Sequence, residues 1–224
     1  MNKFIAFIPA RRGSKRIRKK NFIRIKGLPL YKHTLNAAKK SKLISNIIIS
    51  TDAKQILREK NEKNIKVIER PKYLCKDDSS TESALLHAFN SKKKLINSKD
   101  KIFIVLLQPT SPLRNAKDID NSIKYFKKKK FDTMFSGYEK KILIWKKIGP
   151  KVSPLNYSMK IRKRGQNTKK IIIENGAIFI FPLNKFLKLK NRLFKKIGFF
   201  PMCQKNSFEL DTNEDLKTLK SIIN

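Results

Sequence analysis

Short apolar runs alternate with segments of helical periodicity along this 224-residue chain, and this alternation restricts the fold more than any other feature. Strands are predicted over Lys3–Pro9, Asn46–Thr51, Ile65–Glu69, Lys101–Gln108, Asp132–Tyr138, Gly176–Phe181, Ile197–Met202 and Ser207–Asp211. Helices are predicted over Pro29–Lys42, Ala53–Asn64, Thr81–Ile96, Ala116–Lys130 and Leu183–Lys190, and after Thr212. This order predicts an α/β, Rossmann-like three-layer fold with a mostly parallel sheet, in which ligands bind at the carboxyl ends of strands.

The segment 139–170 interrupts the alternation. It is rich in Pro, Asn, Lys and Arg, and it carries Trp145, the single tryptophan, among other apolar residues without clear periodicity. A disordered insertion is one interpretation, but exposed apolar residues also suit an arm that docks on a second subunit. The chain length fits one domain over residues 1–224, with 139–170 as a dimerisation arm inserted in it.

The composition restricts the partners. A net charge of +37 would suit a nucleic-acid or membrane partner. Only 11 of the 54 basic residues are arginine, however, and the lysines are spread over nearly every segment, which favours a lysine-coated enzyme over a nucleic-acid-binding protein. No apolar run approaches the roughly 18–20 residues of a bilayer span. Cys75 and Cys203 match no zinc or redox spacing, so we expect a cytoplasmic protein with free thiols and no membrane partner.

The loop that follows the first strand, Ala10–Asn21, is strongly basic. Gly13 allows the backbone to approach a ligand closely, and the side chains that could neutralise a triphosphate are Arg11, Arg12, Lys15 and Lys20. The spacing matches neither a P-loop nor a dinucleotide-binding motif. The residues alone leave two interpretations open, a phosphate-binding loop and an ordinary solvated basic loop.

Two further stretches place polar residues at predicted strand ends. In LLQPTSPLR, prolines stop the most apolar strand and leave Gln108, Thr110 and Ser111 as a cluster that suits a polyhydroxylated ligand or a capped turn. In SFELDTNEDL, a strand would project Glu209 and Asp211 to the same side. Two carboxylates on one side suit Mg²⁺ with phosphate oxygens, although Asp211 also fits the start of the last helix.

Six stretches, in order, resemble motifs of the acylneuraminate cytidylyltransferase family, the CMP-sialic acid synthetases. They are IPARRGSKRIRKKN at Ile8–Asn21, STDA at Ser50–Ala53, RPKYLCKDDSS at Arg70–Ser80, QPTSPLR at Gln108–Arg114, ENGAIFI at Glu174–Ile180 and ELDTNEDL at Glu209–Leu216. The resemblance covers essentially the whole chain. It implies a nucleotidyltransferase fold and a homodimer that joins CTP to an acidic nine-carbon keto-sugar, giving a CMP-sugar and pyrophosphate.

The resemblance also assigns roles to residues. The implied catalytic residues are Arg11, Lys20 and Asp211. The implied nucleotide-binding residues are Arg11, Gly13, Ser14, Lys15, Lys20, Asn21, Arg70, Ser79, Ser80 and Thr81. The implied sugar-binding residues are Gln108, Thr110, Ser111, Arg164, Gln166, Glu174 and Asn175. Mg²⁺ or Mn²⁺ would be held by Glu209 and Asp211.

The chain departs from the family pattern in places. Glu209 stands where the family usually has Asp, and the family's adjacent Arg-Gln pair is split here as Arg164-Gly165-Gln166. A cytidylyltransferase for the eight-carbon sugar KDO is the nearest rival interpretation, but that family usually carries Gln-Gly-Asp-Glu-Pro where this chain has QPTSPLR. A non-catalytic homologue and a basic nucleic-acid-binding protein are two further interpretations. Sialic, legionaminic and pseudaminic acids are not separated by the sequence.

Overall fold

A seven-stranded sheet forms the centre of the computed structural model, which describes residues 2–61, 64–90, 101–161 and 164–223. The strand order in this sheet is β11-β7-β10-β6-β1-β4-β5. Two short hairpins, β2-β3 and β8-β9, lie outside it. The strands are β1 Asn2–Pro9, β2 Arg24–Ile25, β3 Leu28–Pro29, β4 Asn46–Thr51, β5 Ile65–Glu69, β6 Lys101–Leu106, β7 Thr133–Lys140, β8 Trp145–Ile148, β9 Lys151–Pro154, β10 Ile171–Pro182 and β11 Ile197–Pro201.

The sheet is mostly parallel, as predicted. Strand β1 pairs in parallel with β4 and β6, β4 with β5, and β7 with β11. Among the described strands of this sheet, β10 alone runs the other way, antiparallel to both β6 and β7. Parallel strands place their carboxyl ends at one edge, so the loops after β1, β4, β5 and β6 share that edge.

Helices cover both faces of the sheet, so the three-layer α/β prediction is confirmed. They are α1 Leu30–Lys40, α2 Lys54–Leu57, α3 Thr81–Asn90, α4 Ala116–Lys129, α5 Leu183–Leu189 and α6 Asn213–Ile223. One buried cluster joins α1, α2 and α4 to the sheet, and the other joins α3 and α5 to its opposite face. Because the central strands are covered on both faces, their sequences are continuous apolar runs, as in Ile102–Leu107.

The strand predicted over Ser207–Asp211 is wrong, because this segment forms a turn and irregular backbone instead. The segment packs against the protein without forming a strand, because Leu210 is fully buried in a third cluster with Ile17 and Leu219. The Leu210 N–H donates to the carbonyl of Thr110 at 2.8 Å, which fixes this segment beside the loop after β6. The final helix begins at Asn213, as predicted.

One predicted helix is shorter than expected, and another lies partly outside the described residues. The helix predicted over Ala53–Asn64 is only four residues of α2, followed by a 3₁₀ turn over Arg58–Asn61. Every residue after Leu57 in that stretch is polar, so nothing there would pack a longer helix against the sheet. Helix α3 begins at Thr81 as predicted, and positions 91–96 of its predicted extent lie outside the described residues.

The predicted arm leaves and re-enters the sheet at paired positions. Lys140 at the end of β7 pairs with Ile171 at the start of β10. Between them, β8 and β9 form an antiparallel hairpin in which Ile148 is paired with Lys151. Six large apolar side chains of this segment are between 48% and 70% exposed: Trp145, Ile148, Val152, Leu155, Met159 and Ile161.

Candidate active site

The basic loop folds back against the carboxyl edge of the sheet. The Ala10 N–H donates to Ser50 at the end of β4, and Thr51 Oγ1 donates to the Ala10 carbonyl. Asn21 Nδ2 donates to the Arg11 carbonyl at 2.8 Å, which closes the loop upon itself. Ile17, at the middle of the loop, is buried in the third cluster. The loop is therefore anchored at its ends and at Ile17, while most of its basic side chains are exposed, so its phosphate-binding role stays a prediction.

A cavity of about 260 Å³ opens between this loop and the ends of β5 and β6. Its lining combines residues from four separate predicted motifs. They are Pro9, Arg11, Gly13, Ser14, Lys20, Asn21, Arg70, Ser79, Ser80, Thr81, Gln108, Pro109, Thr110 and Asp211. Apart from the two prolines, every lining residue belongs to the predicted site. The fold therefore brings most of that site together.

The cations of this cavity already have partners within the protein. Arg11 donates to the carbonyls of Cys75 and Lys76 at 3.0 and 2.7 Å, and pairs with Asp77 at 2.8 Å. Lys20 Nζ donates to the Leu210 carbonyl at 3.0 Å and pairs with Asp211 at 2.7 Å. These contacts hold the side chains of Arg11 and Lys20 at the cavity wall, where both bind carboxylate and carbonyl oxygens of the protein.

Arg70 is a buried cation at the back of the cavity. Its Nε donates to Ser50 Oγ and its Nη2 to the Ser50 carbonyl, both at 3.0 Å. Burial lowers the pKa of the guanidinium, because the charged form loses solvation there. Its geometry is thus fixed by the end of β4 before any ligand arrives.

A second cavity of about 260 Å³ adjoins the first on the β7–β10 side. It is lined by Tyr138, Ile173, Glu174, Asn175, Gln204, Ser207, Phe208 and Glu209. Glu209 connects the two, since its Oε1 accepts a hydrogen bond from Thr110 Oγ1 at 3.4 Å. We call the first the nucleotide cavity and the second the adjoining cavity.

The two predicted metal-binding carboxylates have different surroundings. Burial raises the pKa of Glu209, and the nearby negative charge of Asp211 raises it further. Asp211 is bonded by Lys20 and by Arg16, the latter at 2.9 Å. Within the described residues there is no cluster of three or more Cys, His, Asp or Glu side chains that could hold a metal ion. Glu209, Asp211 and Thr110 each carry oxygen donors of the type that Mg²⁺ prefers, and a hydrogen bond joins Thr110 to Glu209.

Some predicted site residues lie outside both cavities. Lys15 and Arg12 are exposed on the basic loop and line neither cavity. Arg164 and Gln166 are exposed on the arm and line neither cavity of their own chain. Ser111 is fully buried, and its hydroxyl donates to the Asn175 carbonyl at 3.5 Å.

Asn175 lines the adjoining cavity, but its side-chain amide is hydrogen-bonded within the protein. Its Oδ1 accepts from Ser136 Oγ at 2.7 Å and from the Ala177 N–H at 3.1 Å. Its Nδ2 donates to the sulfur of Met202 at 3.4 Å. The side chain therefore joins β7, β10 and the segment after β11.

Sequence reasoning missed three residues that shape the site. Arg16 pairs with Asp211, Asp77 pairs with Arg11, and Asp52 Oδ1 accepts the Arg12 N–H at 2.6 Å. Each lies inside a motif that the sequence had already singled out. Charge could have indicated Asp77, because acids are scarce in this chain, although Asp77 comes near the cations of the basic loop only after folding. Asp52 accepts a backbone N–H, and no such signal separates Arg16 from the other cations of its loop.

A comparison with known proteins identifies the family of the chain. The sequence profile described as cytidylyltransferase matches residues 5–222. The chain belongs to the cytidylyltransferase family. The resemblance to cytidylyltransferases is therefore confirmed.

Two curated relatives are similar to this chain in sequence. An N-acylneuraminate cytidylyltransferase of Streptococcus agalactiae serotype III (strain NEM316) is 29% identical over 216 residues, 94% of this chain and 51% of that protein. A CMP-N,N'-diacetyllegionaminic acid synthase of Legionella pneumophila is 34% identical over 128 residues, 56% of this chain and 53% of that protein. This cytidylyltransferase chain spans about half the length of these curated relatives.

A solved structure supports the fold. The CMP:2-keto-3-deoxy-manno-octonic acid synthetase complexed with CTP has a TM-score of 0.67 against this chain, covers 98% of both chains and is 14% identical. This likeness confirms the nucleotidyltransferase fold of the cytidylyltransferase chain. Among the described residues, none of the helices combines the length and hydrophobicity that a bilayer span requires.

Proposed function

We propose that this chain transfers CMP from CTP to an acidic nine-carbon keto-sugar of the sialic, legionaminic or pseudaminic acid type. The observation that carries the proposal is the nucleotide cavity, where Arg11, Lys20 and Arg70 converge with Gln108 and Thr110. The family membership and the names of the two relatives described above support the same reaction. The product, a CMP-sugar, would serve the synthesis of cell-surface glycans.

The reaction requires positioning and charge stabilisation more than covalent chemistry. The anomeric hydroxyl oxygen of the sugar forms a bond to the α-phosphorus, the bond to the β-phosphate bridging oxygen breaks, and the hydroxyl proton passes to solvent. Arg11 and Lys20 would turn from their protein acceptors to the triphosphate and stabilise the charge that develops on the leaving pyrophosphate. Asn21 and Arg70 would bind the cytosine, and Ser79, Ser80 and Thr81 would line the nucleotide site.

The sugar would occupy the adjoining cavity, with Gln108, Thr110 and Glu174 toward it. Glu209 and Asp211 would hold Mg²⁺ or Mn²⁺ between the two cavities. Such an ion, when bound, would neutralise phosphate charge. It would also offset the repulsion from Asp211, which adds to the effect of burial in raising the pKa of Glu209.

The proposed enzyme is a homodimer in which the arm crosses to the second copy. The support is the set of exposed apolar side chains on β8, β9 and the segment after them. Arg164 and Gln166 would then lie at the adjoining cavity of the partner. The free Cys75 and Cys203 are typical of a reducing compartment, so we place the reaction in the cytoplasm.

Pyrophosphate release tests the function. The protein is given CTP and Mg²⁺ with one sugar at a time: sialic acid, legionaminic acid, pseudaminic acid or KDO. UTP and ATP replace CTP as controls. We expect release with CTP and one nine-carbon acid, and loss of release when a chelator removes the metal. Release with KDO alone would contradict the proposed sugar class. No release with any sugar from correctly folded protein would contradict the proposed activity.

A further inference from the structure

A third cavity, of about 560 Å³, opens at the opposite end of the sheet from the nucleotide cavity. It is lined by Asn2 and Lys101, the first residues of β1 and β6, whereas Pro9 at the end of β1 lines the nucleotide cavity. The seven steps from Asn2 to Pro9, at about 3.3 Å each, separate the two cavities by about 23 Å. We call this the amino-end cavity, and no residue of the proposed reaction lines it.

Aromatic rings form its inner wall. The rings of Phe4 and Phe103 are stacked, with centroids 5.1 Å apart and planes inclined by 16°. The ring of Phe126, from α4, meets Phe103 edge-on at 5.5 Å. All three are less than 10% exposed and packed into the core, so this wall is rigid as well as apolar.

Lysines surround the cavity. They come from three elements and one helix cap: Lys101 of β6, Lys127 of α4, Lys130 at its end, and Lys185 of α5. Within the described part of the chain, these lysines form no ion pair. The one acidic lining residue is Asp132, and its Oδ2 already accepts the Lys196 N–H at 3.2 Å.

The helix dipole does not account for this arrangement. The carbonyls at the end of α4 favour cations there, which suits Lys127 and Lys130. Lys185, in contrast, lies in the first turn of α5, where the dipole disfavours a cation, and Lys101 lies on a strand. Four cations around an apolar wall therefore form an electrostatically complementary site for a negatively charged apolar ligand.

We propose that the amino-end cavity binds a small aromatic monoanion, with its ring against the phenylalanines and its charge among the lysines. The cavity volume lies within the roughly 300–1,000 Å³ that small-molecule sites occupy. This site is independent of the proposed reaction, because its lining residues and those of the nucleotide cavity do not overlap.

Three naphthalene probes of matched shape test the ligand class by isothermal titration calorimetry on the full chain with saturating CTP. They are naphthalene-2-sulfonate, neutral 2-naphthylmethanol and cationic 2-naphthylmethylammonium. We expect the sulfonate to bind with 1:1 stoichiometry and about tenfold or more tighter than the alcohol, and the ammonium not to bind. No sulfonate binding, or equal binding of the sulfonate and the alcohol, would overturn the proposal.

Two charge-reversal variants locate the probe. Lys127→Glu/Lys130→Glu removes cations that line the cavity, and Lys117→Glu/Lys124→Glu removes the same amount of charge from exposed positions of the same helix. We expect sulfonate binding to weaken about tenfold in the first variant and to stay unchanged in the second.

Three outcomes would contradict this location. Equal weakening in both variants would show a general effect of net charge. Displacement of the sulfonate by CTP would place the probe in the nucleotide cavity. Dissociation of an oligomer on sulfonate binding, followed by size-exclusion chromatography with light scattering, would assign the cavity to a contact between copies.

Discussion

Arg114 is a guanidinium only 2% exposed that makes no ion pair within the described residues. It donates to the carbonyls of Gln108 and Ala177 at 3.1 and 2.8 Å and to Thr34 Oγ1 at 2.6 Å. Burial lowers its pKa to about 9, which still leaves it protonated at neutral pH. It therefore joins α1, the loop after β6, and β10 at the point where the site begins.

Replacing this residue should destabilise the fold. In Arg114→Met, buried acceptors of three elements lose their donor, and we expect the free energy of unfolding to fall by about 2–4 kcal/mol. Urea denaturation measures this change, with Lys124→Met, at an exposed position, as the control. Arg114→Lys should recover only part of the loss, because an ammonium does not reproduce the planar set of donors. A fully stable Arg114→Met protein would show that these hydrogen bonds contribute no net stability.

The basic loop offers a second prediction at the level of single residues. Arg11 lines the nucleotide cavity, whereas Arg18 of the same loop is exposed and outside it. Because a hydrogen bond to a charged group contributes about 1.5–3 kcal/mol, we expect Arg11→Ala to weaken CTP binding by at least about tenfold. Arg18→Ala should stay within about twofold, since an exposed charge is largely screened. Calorimetric titration with CTP measures both, and equal effects would indicate attraction by the loop's total charge only.

Strand β10 contains the irregularity that shapes the adjoining cavity. Its pairing with β7 shifts register between Glu174 and Phe179, and within this break Gly176 has a φ of +62°. A Cβ at Gly176 would lie 3.0 Å from Glu209 Oε1. The bend turns Asn175 inward to Ser136 and brings the chain close to Glu209. One glycine thus allows the close approach of β10 and the acidic loop.

Gly176→Ala should therefore lower stability by about 1–2 kcal/mol, the cost of a left-handed backbone conformation for a residue with a Cβ. Gly165→Ala is the matched control, because a Cβ at Gly165 meets no atom within 4 Å and its φ is not in that region. Thermal denaturation of both proteins gives the comparison. Similar melting temperatures for the two variants would indicate that β10 can rearrange its register at no cost.

At the scale of the whole molecule, the exposed apolar residues of the arm contrast with a surface of net charge +37. Like charge keeps copies apart, so association of two copies requires an apolar contact that outweighs it. Ile148 and Val152 are 61% and 58% exposed, and they lie on opposite faces of the β8-β9 hairpin, because Ile148 is paired with Lys151 and Val152 with Lys147. Apolar side chains are thus exposed on both faces of the hairpin, and we expect the partner copy to cover them.

Ile148→Glu/Val152→Glu should convert a dimer to a monomer and abolish most pyrophosphate release, because the arm would no longer reach the partner. Lys146→Glu/Lys147→Glu also places one acidic residue on each face of the same hairpin without removing an apolar side chain, so it is the control and should stay dimeric. Size-exclusion chromatography with light scattering measures the mass of each. A second test removes residues 140–168. A dimeric and active deletion variant would refute the role of the arm.

The sequence by itself determined the order and type of most elements, because periodicity and apolar composition are local properties. It also placed Arg11, Gln108 and Arg70 at the carboxyl ends of strands, where parallel topology brings them together. The strand predicted over Ser207–Asp211 was wrong, because an alternating pattern also arises when a loop buries one residue, here Leu210 in a cluster with Ile17.

The tertiary structure decided which groups meet across the chain. Lys20 pairs with Asp211, 191 positions away, and Arg11 pairs with Asp77, contacts that no local pattern encodes. It also decided the antiparallel insertion of β10 between β6 and β7, and the separation of the site into two cavities joined at Glu209. The physical reason is that periodicity reports which face of an element is buried, whereas the partner of a charged side chain depends on how distant elements pack.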